Sequence, residues 1–219
     1  FDPIYQSQLW NNLFKDDEYK KICNSNLKFI EKIDIIYDKV ELVKKKLIIR
    51  DWAFFDFIGK PFIDPNYKNS LFEALSKKYK ILNLYIIRHP LKLLESCCNK
   101  WIFFRRDNNF IYLIKGYKNY FLNASAGNIC VFENFIGEPE KKLSKMCDIL
   151  EIDYDNNYLD KLKNVNLTGD STAKKSVEIH NKDSLSKKKL IKEEELNKIK
   201  NHPDFIELMQ DLKSYYQNV

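Results

Sequence analysis

The chain has 219 residues, is 44% hydrophobic and 14% aromatic, and carries a formal net charge of +6. That length and apolar content supply a real core and exclude a disordered chain. Only 5 glycines against 13 tyrosines and 15 phenylalanines argue against a loop-rich one. The basic residues are interrupted by acids and show none of the usual zinc or recognition-helix spacings, so no nucleic-acid partner is expected. The remaining positive balance suits an anionic substrate or cofactor.

Residues 1 to 40 read as helical, with amphipathic pieces around Leu9, Trp10, Leu13 and Phe14 and from Leu27 to Val40. The lysine triplet Lys44-Lys45-Lys46 suits a helix C-terminus. The run from Leu47 to Trp52 then reads as a compact strand ending in the charge pair Arg50 and Asp51. Such a pair is either a structural salt bridge or a site pair. Phe54, Phe55, Phe57 and Ile58 form an aromatic core segment that includes Asp56, and Gly59-Lys60-Pro61 and Asp64-Pro65-Asn66 are turn signals.

A helix with Leu71, Phe72 and Leu75 leads into the stretch that organises the chain. Residues 82 to 87 form a short apolar run with β-branched and aromatic residues, closed by Arg88-His89-Pro90. Leu91, Leu94, Cys97, Cys98 and Trp101 then recur at helical spacing, which predicts a helix from 91 to about 106. A buried strand that hands an arginine to a helix start places charge at the carboxyl edge of an α/β sheet, where ligands bind. After a break at 107 to 109, Phe110 to Phe121 reads as a helix carrying Tyr112, Tyr117 and Tyr120, with Tyr112, Tyr117 and Phe121 as pocket candidates.

Ile129 to Glu133 is a third strand, and Pro139-Glu140 opens a helix with Leu143, Met146, Cys147 and Leu150 on one face. Residues 166 to 176 are polar, rich in donors and lacking apolar periodicity: a surface loop, or a lid that holds an anion. Charged helices follow from 186 to 216, broken at His202-Pro203. Helices alternating with three short strands predict an α/β layered domain with a parallel sheet. The five cysteines read as reduced thiols rather than a disulfide framework, and no metal-ligand spacing or membrane-length apolar run occurs.

The stretch from 82 to 98 resembles the sulfotransferases that use 3'-phosphoadenylyl sulfate (PAPS). In that family an arginine ends a strand, a proline follows two residues later, and a serine comes eight residues after the arginine; here these are Arg88, Pro90 and Ser96. Val131-Phe132-Glu133 with Pro139, Leu143, Cys147 and Leu150 is similar to the family's late strand, domain-stabilising glutamate, proline and helix. Leu167-Thr168-Gly169-Asp170-Ser171 with Lys174 and Lys175 is similar to the late loop that closes over the nucleotide in many bacterial-type members. The resemblance spans roughly residues 45 to 180. The chain departs from the family in having no glycine- and serine-rich phosphosulfate loop. Because it begins at Phe1 rather than Met, two alternatives stand: a preceding segment carries that loop, or the protein is a divergent one that has lost it.

The resemblance implies a P-loop-type three-layer domain, N-terminally incomplete, over 1 to 180, with a charged helical extension over 181 to 219 packing on it. It implies sulfuryl transfer from PAPS as co-substrate, without a metal, to a hydroxyl or amine of a small-molecule or glycan acceptor. Arg88, Ser96, Gly169, Ser171, Lys174 and Lys175 are the implied nucleotide-binding residues. Asp51 is the first candidate for catalytic base and Asp56 the second. The competing reading is a non-catalytic α/β interaction protein, in which Arg88 pairs into the core with a carboxylate such as Glu133. A P-loop kinase is disfavoured for want of a Gly-Lys-Ser/Thr loop.

Overall fold

The computed structural model describes residues 2–106, 109–162, 191 and 193–216. In chain order its elements begin with α1 (Pro3–Asn11), α2 (Asp16–Cys23), α3 (Phe29–Leu42), α4 (Phe54–Phe57), α5 (Ser70–Leu75), β1 (Leu84–Ile87) and α6 (Pro90–Lys100). A 3-10 turn (Ile102–Arg105) follows, then α7 (Phe110–Ala124), β2 (Asn128–Val131), α8 (Phe132–Gly137), α9 (Pro139–Ile149) and α10 (Tyr158–Leu162). The last elements are α11 (Glu193–Lys200), α12 (Pro203–Asp211) and α13 (Lys213–Tyr216). The protein is therefore α/β, mostly helical, with a small parallel sheet. It divides into two compact units, Phe1–Trp52 with Ser70–Ile81, and Ala53–Asn69 with Leu82–Val219.

The first unit is built on α1 and α3. Asp2 caps α1 by accepting the N–H groups of Ile4 and Tyr5, Pro3 occupies the first turn, and the Asp2 carboxylate also pairs with Lys32 on α3. Asn12 stops α1 in the left-handed conformation at φ 47°, so Leu13 and Phe14 leave the helix. The amphipathic piece expected around Leu9 to Phe14 is thus split: Phe14 is buried, while Leu9 and Trp10 are exposed. Ile4, Phe14, Ile33, Ile36 and Leu75 make the core. Asp34 receives the Tyr79 hydroxyl and pairs with Lys78 at 2.7 Å, fastening the end of the unit to α3.

Residues 47–52 form no strand, contrary to the expectation for that run. Ile48 is 63% exposed and Trp52 47%, and only Leu47 packs on the first core. A strand persists only where a neighbour takes its N–H and C=O groups. Among the described residues the sheet is β1 beside β2 alone, so this run joins no ladder.

In the second unit β1 and β2 pair in parallel, with Leu84 opposite Asn128 and Ile87 opposite Val131. Helices α6 and α7 make the crossover, as a parallel pair requires. His89 caps α6 by accepting the Leu91 N–H at Nδ1, with Pro90 in the first turn. The same His-Pro device opens α12, where His202 accepts the Asp204 N–H. The helix expected to run from 91 to 106 ends at Lys100, because Trp101 turns extended and seats its ring 4.7 Å from that of Phe54.

Helix α7 is the axis of this core, burying Phe110, Leu113, Ile114, Tyr117, Phe121 and Ala124 along one face. Gly116 lets α4 approach: a Cβ there would sit 2.4 Å from the Phe57 carbonyl oxygen. Ile199, Phe205, Leu208 and Leu212 from α11, α12 and the residue after it complete the core, and Lys118 pairs with Glu207 at 2.6 Å. Strand β2 ends at Val131 rather than Glu133, since Phe132 already begins α8. All five cysteines are free thiols, and Cys23 alone of them is exposed.

Candidate functional site

The chemistry gathers at the carboxyl edge of the parallel pair. Strand β1 delivers Arg88 and His89, the end of β2 delivers Phe132 and Glu133, α7 supplies two tyrosines, and α13 supplies Tyr216.

The main chain of Arg88 is held from one side by a single hydroxyl. Its N–H donates to Tyr117 Oη at 2.9 Å, and that hydroxyl donates to the Arg88 carbonyl at 2.6 Å. One turn along α7, the Tyr120 hydroxyl donates to the Ile86 carbonyl at 3.2 Å. Successive residues of a strand turn their hydrogen-bonding groups to opposite sides, so the even-numbered residues of β1 face α7 and the odd-numbered ones face β2. The next odd residue, His89, follows that pattern. Its N–H donates to Glu133 Oε1 at 3.0 Å, so a side chain continues the ladder where β2 has already turned into α8.

Glu133 Oε2 accepts the Tyr216 hydroxyl at 3.4 Å, and the Tyr216 ring stands edge-on to His89 at 5.5 Å. Burial, above all, pushes the Tyr216 and Tyr117 phenols well up, so both remain neutral donors at physiological pH. Burial also pulls His89 below the ordinary histidine value; Glu133 opposes that shift and Lys92 adds to it. With Nδ1 accepting from Leu91, the neutral ring carries its proton on Nε2.

The Arg88 side chain is differently placed. Its guanidinium carbon lies 5.0 Å above the Phe132 ring. Among the described residues its buried Nε has no hydrogen-bond partner and the group forms no ion pair. The Arg88–Glu133 pairing that a purely structural role would use does not occur; Glu133 is taken by His89 and Tyr216 instead. A desolvated charged donor left unsatisfied costs more than a neutral one, about 1–3 kcal/mol or above, and calls for an explanation.

Of the other residues singled out in the sequence, Ser96 is half-buried on the second turn of α6. Asp56 is half-buried on α4, and its carbonyl accepts the Tyr67 N–H at 2.9 Å. Asp51 is exposed on the 47–52 segment and belongs to the first unit, whereas Arg88 belongs to the second. Gly169, Ser171, Lys174 and Lys175 lie outside the described residues. Tyr112 is exposed, with its ring stacked on Phe103 and Lys60 over it. Phe121 is a core residue packed edge-on to Tyr215. His89 and Tyr216 were not singled out. A histidine just before Pro90 is a legible cap signal, whereas nothing local marks Tyr216.

A small, partly open recess of about 10 Å³, lined mostly by apolar side chains (Leu94, Cys98, Phe104, Phe110 and Ile199) with Glu195, shares no residue with this edge. Among the described residues no cluster of three or more His, Cys, Asp or Glu side chains could hold a metal ion. No helix among them is long and apolar enough to cross a membrane. The arrangement defines an α/β protein whose sheet edge presents, among the described residues, a partly desolvated arginine without an ion pair on a tightly held main chain. No family model, curated protein or solved structure matches the chain.

Proposed function

We propose that the protein is a sulfotransferase that moves a sulfuryl group from PAPS to a hydroxyl or amine of a small-molecule or glycan acceptor. One observation carries the reading: among the described residues the buried Nε of Arg88 has no partner, on a residue whose N–H and C=O are both held by Tyr117 and whose following peptide N–H is held by Glu133, at the edge of a parallel sheet. A charged fork so placed suits a phosphate, which guanidinium groups bind with paired, charge-assisted hydrogen bonds. The spacing from Arg88 to Pro90 and Ser96 adds the resemblance to the sulfotransferase 3'-phosphate motif.

In this reading Arg88 and Ser96 hold the nucleotide 3'-phosphate, and Gly169, Ser171, Lys174 and Lys175 close over it. The acceptor oxygen or nitrogen attacks sulfur in line. The bond from sulfur to the 5'-phosphate oxygen breaks, adenosine 3',5'-bisphosphate leaves, and the acceptor proton passes to Asp51 or, failing that, Asp56. The fold that goes with it is a P-loop-type three-layer sheet flanked by helices, and the parallel β1–β2 pair with its helical crossover supports it.

The non-catalytic reading has one observation in its favour. The N–H groups of His89 and Leu91, which would face an anion at the start of α6, are already taken by Glu133 and by His89 Nδ1. Anion binding at this edge therefore rests on side chains. Calorimetric titration with adenosine 3',5'-bisphosphate separates the two: micromolar binding that falls steeply but measurably in Arg88→Ala is the expected result. Absence of binding, or binding indifferent to Arg88→Ala, overturns the proposal.

A further inference from the structure

We propose that Tyr117 is the positioning residue of the Arg88 site, a role that rests on reading Arg88 as the anion-binding group. A residue at the end of a strand is the one most prone to fray, because the ladder beyond it is missing. Here Arg88 lies one residue past the last paired rung of β1, and its N–H and C=O point away from β2. Without Tyr117 both groups would lack a partner, and the Cα that carries the guanidinium would be free to swing.

A tyrosine is suited to this task where other residues are not. The hydroxyl must accept from an N–H and donate to a C=O of the same residue at once, which a phenol does and a phenyl ring does not. It must also reach the strand from a helix whose ring face is in the core, and Tyr117 is only 4% exposed. Tyr117 and Tyr120 are about 4.5 Å apart along the helix axis, while Ile86 and Arg88 are about 6.6 Å apart along the strand. Two long side chains absorb that difference, and α7 thereby stands in for a strand along the outer edge of β1.

The two tyrosines are not equivalent. Tyr120 donates to the Ile86 carbonyl at 3.2 Å, inside the paired strand. Tyr117 makes two shorter bonds to Arg88, beyond the pairing. On the other side of the same peptide run, the Glu133 bond to the His89 N–H limits movement toward β2. Held from both sides, the Arg88 main chain leaves side-chain rotation as the freedom of the guanidinium, and its seat over Phe132 limits that as well. Positioning of this kind strengthens binding by removing an ordering cost in advance.

The test compares Tyr117→Phe with Tyr120→Phe in the full chain. Tyr117→Phe keeps the buried ring and should speed amide hydrogen exchange at Arg88 by about tenfold or more, leaving Ile87 unchanged. The affinity for adenosine 3',5'-bisphosphate should fall about tenfold in Tyr117→Phe and less than about twofold in Tyr120→Phe. In an Arg88→Ala background Tyr117→Phe should cost nothing further.

An unchanged Arg88 exchange rate overturns the proposal. So does an equal loss of affinity in both phenylalanine variants, or a loss that persists in the Arg88→Ala background. If Arg88→Ala weakens binding but Tyr117→Phe does not, positioning alone is wrong. If Arg88→Ala has no effect on binding, the anion site itself is wrong and the positioning role falls with it.

Discussion

Glu133 Oε1 accepts the main-chain N–H of His89 at 3.0 Å, two residues past the last β1–β2 pair, Ile87 opposite Val131. A carboxylate on the first turn of α8 thus replaces the carbonyl that β2 would have supplied had it stayed extended. The same side chain reaches Tyr216 of α13, so one residue ties the end of β1 to the C-terminal helix. Removing it leaves a half-buried N–H and a phenol without their acceptor. Glu133→Ala is expected to lower stability by about 1–3 kcal/mol, and Glu133→Gln, which keeps an acceptor oxygen, by about 1 kcal/mol or less. Denaturant midpoints of the three proteins at equal m-value check this.

Gly116 gives a prediction of the opposite kind, about space. A Cβ at this position would meet the Phe57 carbonyl oxygen at 2.4 Å, the Ile58 side chain at 2.7 Å and the Phe57 carbonyl carbon at 2.9 Å. Two of these are main-chain atoms of a helix, so the clash is relieved only by moving α4 away from α7. Gly116→Ala should cost about 1–3 kcal/mol despite the gain in helix propensity. Gly137→Ala, where a Cβ meets nothing within 4 Å, should be neutral or stabilising by up to about 1 kcal/mol. Thermal melting of both variants beside the parent reads the contrast.

The third prediction concerns pH. Burial holds His89 below its ordinary value of 6.5, and its Nδ1 must stay unprotonated to cap α6. The unfolded chain therefore binds the proton more readily than the folded one. Stability from this residue is present in full above pH 6.5 and is lost as the pH falls from there through the lower folded value. Glu133 and Glu95 moderate the shift, whereas Lys92 reinforces it. His89→Asn retains a capping oxygen but does not titrate, so its stability should decline less than that of the parent between about pH 7 and pH 5. Chemical denaturation across that range measures the difference.

Elements decided by local chemistry were legible in the sequence. Pro90 after a short β-branched run marks a strand passing into a helix, Pro139-Glu140 opens α9, and the apolar spacing of α3 and α7 follows from 3.6 residues per turn. The parallel pairing also followed, since two strands separated by helices pair that way. The run at 47–52 has the hydrophobicity of a strand and forms none, because a strand also needs a ladder for its N–H and C=O groups, which no apolar tract encodes.

The sequence by itself thus determined where helices start, which faces are apolar, and that Arg88 stands at the end of a strand. The tertiary structure decided what each polar group at that edge is bonded to. Tyr117 reaches Arg88 across 29 residues, Glu133 reaches His89 across 44, and Tyr216 reaches Glu133 across 83. No periodicity encodes such pairs, because hydrogen bonding depends on distance and angle after packing rather than on separation along the chain. That Glu133 serves His89 and Tyr216, leaving the Arg88 guanidinium without an ion pair among the described residues, is a property of the packed molecule alone.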